Sequence, residues 1–266
     1  MLETRVLTGL VLASLALLAL FFLPTIALAG IVAVVGFLGA LEWVNLRNQG
    51  SSTAFRTVYA ALVAVGVLVF WKLFEHSDVA VSVIAIGWVG LLGWVASLVV
   101  KKTGASCTPG LVLGLFTLIP ALSLVPYIHG QSHNGVLELL TVLVVVWVGD
   151  IGAYFGGRRF GRSALAPKIS PGKTWEGALT GFILAVAIGG SIFFMFDASP
   201  HPGIIFVVLA VTAVAGVLAD LFESILKRSS GKKDSGNLLP GHGGVLDRID
   251  SLLGAVPVFS GLTLLF

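Results

Sequence analysis

Apolar residues run along this chain in long unbroken blocks, without the 3.6-residue or two-residue spacing of half-buried helices and strands. Nine blocks stand out, near residues 6–22, 25–43, 55–74, 79–100, 110–128, 134–155, 176–196, 203–226 and 249–266. Each is close to the roughly 20 residues a helix needs to cross the hydrocarbon of a bilayer. The pattern predicts an all-α, polytopic integral membrane protein of about nine transmembrane helices. Ala27-Leu28-Ala29 resembles a signal-peptide cleavage site, but the block before it is long, has only Arg5 as a basic start and is followed by further spans, so it is read as a retained span. No Gly/Ser-rich or Pro-rich linker sets off a soluble part, and residues 1–266 read as a single membrane domain.

Composition agrees, with 57% hydrophobic and 11% charged residues, and the placement of the charges adds an orientation. If the spans alternate, 15 of the 16 Lys and Arg residues fall on the side of the N-terminus, and Lys72 alone falls opposite. Basic residues are retained in the cytoplasm, which puts the N-terminus and the even-numbered loops inside and the C-terminus outside. His76, His129, His133 and His201 lie on the opposite face, leaving His242 among the basic loops. Cys107 is the single cysteine, which excludes an intrachain disulfide and a cysteine metal cluster.

Polar residues are sparse up to about residue 130, where the spans read mainly as scaffold with Glu42 near one end, and thicken in residues 131–266. Gly152/Gly156 and Gly177/Gly181 have the four-residue spacing that lets helices approach closely in lipid. Asp150, Asp220 and Glu223 sit toward the inner ends of spans 6 and 8, where an acid costs energy and needs a partner. That partner is either a neighbouring Lys or Arg or a divalent cation. Asp220 and Glu223 share a helix face, and Asp247 and Asp250 have the same spacing at the start of span 9. Asp220 facing Asp247 and Asp250 would make an oxygen-ligand site for Mg²⁺ bridging to a phosphate.

Two polar loops, residues 156–176 and 227–249, carry the remaining candidates. In Ser170-Pro-Gly-Lys173-Thr174-Trp-Glu176 a turn is followed by a lysine, a hydroxyl and an acid at the start of a helix. It is not a P-loop, because Pro167 stands where the first glycine is required and an apolar span stands where a strand should precede. Ser170 or Thr174 as a cap would still offer a phosphate the helix N-terminus, with Lys173 as a point charge. The second loop brings Lys227, Arg228, Lys232, Lys233, His242 and Arg248 together with Asp234, Asp247, Asp250 and several glycines, Gly243 and Gly244 among them. Cations for phosphates, carboxylates for a metal and glycines for close backbone approach suit a nucleoside triphosphate with Mg²⁺.

In order, Ser224-Ile-Leu-Lys227-Arg228, Lys233-Asp234, Gly236, Leu239-Pro240, His242-Gly243-Gly244 and Asp247-Arg248-Ile249-Asp250 resemble the signature of the phosphatidate cytidylyltransferases, over 27 residues. The resemblance implies a bacterial inner-membrane enzyme, with its active site facing the cytoplasm, that joins CTP and phosphatidic acid into CDP-diacylglycerol and pyrophosphate with Mg²⁺. It places Asp220, Asp247 and Asp250 at the metal and phosphate site, with Asp150 and Glu223 as further candidate ligands. Lys173, Lys227, Arg228 and Lys233 are expected to hold phosphates, and His242 to donate a hydrogen bond or proton to the leaving pyrophosphate. Ser170, Thr174, Glu176, Ser224, Asp234, Gly243, Gly244 and Arg248 complete the expected substrate contacts. Membrane lipids are expected partners, nucleic acid is not, and the glycine-rich spans suit a homodimer. Two alternatives stay open, a CTP-dependent lipid kinase with a hydroxyl acceptor and an anion transporter with ionisable residues spread through the membrane depth.

Overall fold

A computed structural model describes residues 2–48, 50–104, 109–131, 134–196, 202–238 and 243–265. Cys107, His133, His201 and His242, with Leu239 and Pro240, lie outside the described residues. Among the described residues nine helices follow one another: α1 (Leu2–Phe22), α2 (Thr25–Arg47), α3 (Thr53–Phe74), α4 (Asp78–Val100), α5 (Leu111–His129), α6 (Gly135–Phe160), α7 (Trp175–Phe196), α8 (Pro202–Ser229) and α9 (Leu246–Thr263). Among the described residues seven of them, α2 to α8, are long and apolar enough to cross a membrane. Helix α9 opens with Asp247, Arg248 and Asp250, which lower its hydropathy.

The helices pack as a bundle whose outer surface is apolar. Leu10, Phe22, Val79, Ile86, Phe116, Phe155 and Met195 are exposed, as expected where hydrocarbon is the solvent. Inside, α9 runs through the middle, with Leu253, Ala255, Val256, Val258 and Phe259 buried. A Cβ on Gly254 would come 2.7 Å from Ala219 of α8, so the glycine is what lets α9 lie against α8. The two glycine pairs meet as their spacing suggests. A Cβ on Gly152 would lie 3.0 Å from the Gly181 Cα, and one on Gly177 would lie 3.0 Å from Gly157, which brings α6 and α7 to backbone contact.

Loops with basic residues gather at one end. Arg47 Nη1 donates to Ser229 Oγ at 2.9 Å, Ser230 Oγ donates to the Leu46 carbonyl at 2.5 Å, and a Cβ on Gly104 would touch Lys168. At the other end His129 Nε2 lies 3.0 Å from the Leu20 carbonyl, which can only accept; in the neutral ring Nδ1 therefore accepts from Thr25 Oγ1 at 2.9 Å.

Three boundaries differ from the sequence expectation. The segment 156–176 is not simply a loop: α6 continues to Phe160, and an antiparallel hairpin follows, β1 (Ala164–Ala166) and β2 (Ser170–Thr174), pairing Ala166 with Ser170 and Ala164 with Thr174. Leu165, Ala166 and Ile169 are buried and peg this hairpin to the bundle. Helix α8 runs through Lys227 and Arg228, and α9 begins at Leu246, which leaves 230–245 as the second loop. Cations in the last turn of a helix and an acid in the first turn favour the helix dipole, so charge extends these helices past the apolar blocks.

Candidate functional site

Helix α8 presents Asp220, Glu223, Ser224 and Lys227 over two turns, and the first turns of α9 bring Asp247, Arg248 and Asp250 alongside. Helix α6 contributes Asp150, the hairpin contributes Ser170 and Lys173, and the second loop contributes Lys233 and Asp234. Asp150, Ser170, Asp220, Ser224, Lys227, Arg228, Lys233, Asp234, Asp247, Arg248 and Asp250 line one polar cavity of about 350 Å³ at the basic end of the bundle. That size lies in the range of small-molecule sites.

Asp220, Glu223 and Asp250 form the crowded acidic group, with one carboxylate oxygen of each lying within 4.8 Å of the others. Glu223 is buried, and its Oε2 accepts from Lys227 Nζ. Its other oxygen, Oε1, is buried without a hydrogen-bond partner. An unmatched buried carboxylate oxygen is costly in protein alone and fits an additional cation. Asp220 is paired with Lys173 of β2, and Asp250 Oδ1 accepts from the Ser251 amide at 2.7 Å. Burial alone would lower the basicity of the Lys173 ammonium, but the carboxylates of Asp220, Asp250 and Asp150 outweigh it and hold its pKa above the ordinary lysine value.

Asp247, the other expected ligand, lines the same cavity as Asp220, and both of its oxygens also accept from the protein. Oδ1 accepts from Lys227 Nζ at 2.7 Å. Oδ2 lies 2.9 Å from the Ser235 amide, 2.8 Å from the Gly244 amide and 3.0 Å from Ser235 Oγ. Gly243 has a φ of +80°, and a Cβ there would meet Asp247 Oδ2 at 2.6 Å, so glycine is required at this close approach. Gly243 and Gly244 thus fold the loop onto Asp247.

The residue that the sequence reading passed over is Glu42 of α2. It is buried, accepts from the Val245 and Leu246 amides at 2.9 Å each, and lies 2.9 Å from Ser235 Oγ. It satisfies amides at the start of α9 that no helical carbonyl can reach. The signal was its position, since an acid inside the end of an apolar span needs a partner. Neighbouring Trp43 is buried against Phe222 of α8, with ring centroids 6.1 Å apart, which fixes α2 beside the site.

Thr174 and Glu176 serve the fold. Thr174 Oγ1 caps α7 by accepting from the Gly177 amide at 3.1 Å. The exposed Glu176 carboxylate accepts from the Arg162 and Ser163 amides at 3.0 and 3.2 Å, closing the base of the hairpin.

Comparison with known proteins agrees along the whole length. Residues 3–266 match the Cytidylyltransferase family. The chain is 40% identical to the phosphatidate cytidylyltransferase of Haemophilus influenzae, covering 98% of both chains. It is 38% identical to that of Pseudomonas aeruginosa, covering 98% of this chain and 97% of the relative. It is also 35% identical to that of Brucella suis, covering 96% and 90%.

Proposed function

The chain belongs to the cytidylyltransferase family, and on that basis we propose that it joins CTP to phosphatidic acid, forming CDP-diacylglycerol and pyrophosphate for phospholipid synthesis. The observation that carries the reading is one cavity in which Asp220 and Asp250, crowded with buried Glu223, face Arg228, Lys233 and Arg248. A triphosphate and a lipid phosphate bring several negative charges to one point, and this set meets them with cations beside acids. The cavity opens at the end of the bundle where the basic loops gather, which supports a multi-pass protein of the bacterial cytoplasmic membrane working on its cytoplasmic side.

In the proposed reaction an oxygen of the phosphatidate phosphate bonds to the α-phosphorus of CTP. The bond from that phosphorus to the oxygen bridging to the β-phosphate breaks, and its electron pair leaves with pyrophosphate. The attacking phosphate is already anionic, so no serine or cysteine intermediate is needed. The protein supplies position and charge neutralisation. Arg228, Lys233 and Arg248 hold phosphate oxygens, and Ser170 and Ser224 donate from the cavity wall. Asp247 keeps Lys227 and the glycine loop in place through its hydrogen bonds. Asp220, Glu223 and Asp250 have the oxygen chemistry to hold a divalent cation such as Mg²⁺, and the unpartnered Glu223 oxygen supports that fit. Such a cation, when bound, neutralises charge on the phosphates.

The test is transfer itself. Purified protein in mixed micelles with phosphatidic acid, Mg²⁺ and CTP labelled in the cytidine is expected to move label into the lipid phase and release an equal amount of pyrophosphate. Asp220→Asn is expected to lower the rate by about 10²–10³-fold or more while the protein still inserts. Label staying in the water while the γ-phosphate of CTP moves to a lipid alcohol would replace this reading with a kinase.

A further inference from the structure

Three carboxylates with oxygens this close repel one another, and protein cations offset them. Two lysines do so, and they are held very differently. Lys227 sits one turn from Glu223 on α8, is buried, and is tied to Asp247 as well. Its position is fixed by α8, which carries Lys227 and Glu223 together, and by Asp247 on α9. Lys173 is carried instead by a hairpin of three-residue and five-residue strands, and its side chain remains 29% exposed. Beside it Pro171 and Gly172 are exposed, and a Cβ on Gly172 would meet nothing within 4 Å. The Lys173 ammonium is a point charge on a flexible stem, carried by a short hairpin that it ties to Asp220 of the cavity wall.

The ammonium is bonded to Asp220 Oδ2. A divalent cation drawing on Asp220, Glu223 and Asp250 would place two positive groups at one carboxylate. We propose that Lys173 is a placeholder cation: it neutralises Asp220 while the site is free, is displaced when a divalent cation binds, and then turns its ammonium to the phosphates of the nucleotide. The inference rests on the reading of these three acids as the cation site. It makes cation and phosphate binding mutually dependent. Cation alone must compete with Lys173, whereas a phosphate that engages Lys173 removes the competitor. By linkage, the help is equal in both directions. A lysine that kept its place would also oppose the cation by its charge, but it would leave the hairpin's tie to Asp220 unchanged when the cation binds.

Mn²⁺ alone, without nucleotide or lipid, is the probe, with free Mn²⁺ read by electron paramagnetic resonance on the full chain in detergent. Lys173→Met is expected to bind Mn²⁺ about tenfold more tightly than the unaltered protein, within the usual range of coupling between sites. Asp250→Asn is expected to lose binding. Equal or weaker affinity in Lys173→Met overturns the exchange and leaves the cation site standing. Absence of binding in both the unaltered protein and Lys173→Met overturns the cation site and the exchange with it. A second measurement needs no variant: Mg²⁺ alone is expected to speed amide hydrogen exchange in residues 164–174 of the unaltered protein, because the hairpin loses its tie to Asp220. Unchanged exchange at saturating Mg²⁺ overturns the placeholder role even where Lys173→Met fails to fold.

Discussion

Glu42 and Asp247 between them accept from four backbone amides, those of Ser235, Gly244, Val245 and Leu246, and Asp247 also takes Lys227. Asp220, Glu223 and Asp250 lie in the neighbouring turns of α8 and α9 and are served differently. They crowd within 4.8 Å, meet two lysines and one amide, and leave Glu223 Oε1 with no partner. The first pair has every oxygen engaged in holding a loop against a helix start. The second group keeps unspent acceptor capacity on buried Glu223, beside the cavity that Asp220 and Asp250 line. Residue type does not separate the two sets, since both are carboxylates near charged loops. What separates them is how many protein donors each one meets.

The largest effect should come from the unspent group. Asp250→Asn is expected to cut cytidylyl transfer by about 10²–10³-fold, by analogy with loss of one preorganised charge-stabilising group. Its thermal midpoint in detergent should stay level or rise, because the change relieves repulsion from Asp220 and Glu223. A fall in the midpoint together with retained transfer would place Asp250 in the structural set and break the comparison.

Glu42→Gln should do the reverse. Val245 and Leu246 each donate to a different oxygen of Glu42, so whichever way a glutamine amide is turned, its NH₂ meets one backbone N–H. One buried donor is left unmatched and a charge-assisted bond is lost, at a cost of about 2–4 kcal/mol. Denaturation in detergent should register that loss, with transfer falling through the folded fraction and not through the affinity for CTP. Full stability with lost transfer would mean that Glu42 faces the substrate.

These two residues also mark what could be read from the chain. The nine helices were legible because a bilayer imposes a length on apolar blocks. Asp220, Asp250, Lys227, Arg228 and Lys233 were legible because charge near a greasy span needs a purpose. The hairpin was not, since its strands are only three and five residues long and are held by Leu165, Ala166 and Ile169 packing on the bundle. Nor was the pairing of Glu42 with Ser235, Val245 and Leu246, because a contact across about 200 positions leaves no periodic trace. Asp247 and Asp250 looked equivalent at three-residue spacing. Only the fold of the loop over Gly243 and Gly244 gives them different partners.

The smallest effect is expected at the far end of the bundle, where Lys72 is the lone basic residue on its side of the alternation. Its ammonium lies 2.8 Å from Glu75 and 3.9 Å from the centre of the Trp71 ring, with the side chain 58% exposed. An exposed ion pair contributes roughly 0–1 kcal/mol, and an exposed cation over a ring adds about 0.5–1 kcal/mol at most. Lys72→Ala should therefore lower stability by no more than about 2 kcal/mol and leave transfer unchanged. The reason is local: both of its partners are neighbours on the same helix end, and no hydrogen bond links it to α8 or α9 among the described residues. Loss of transfer at full stability would show that charge at this end reaches the acids across the membrane, and the contrast would then have to be drawn across the whole bundle.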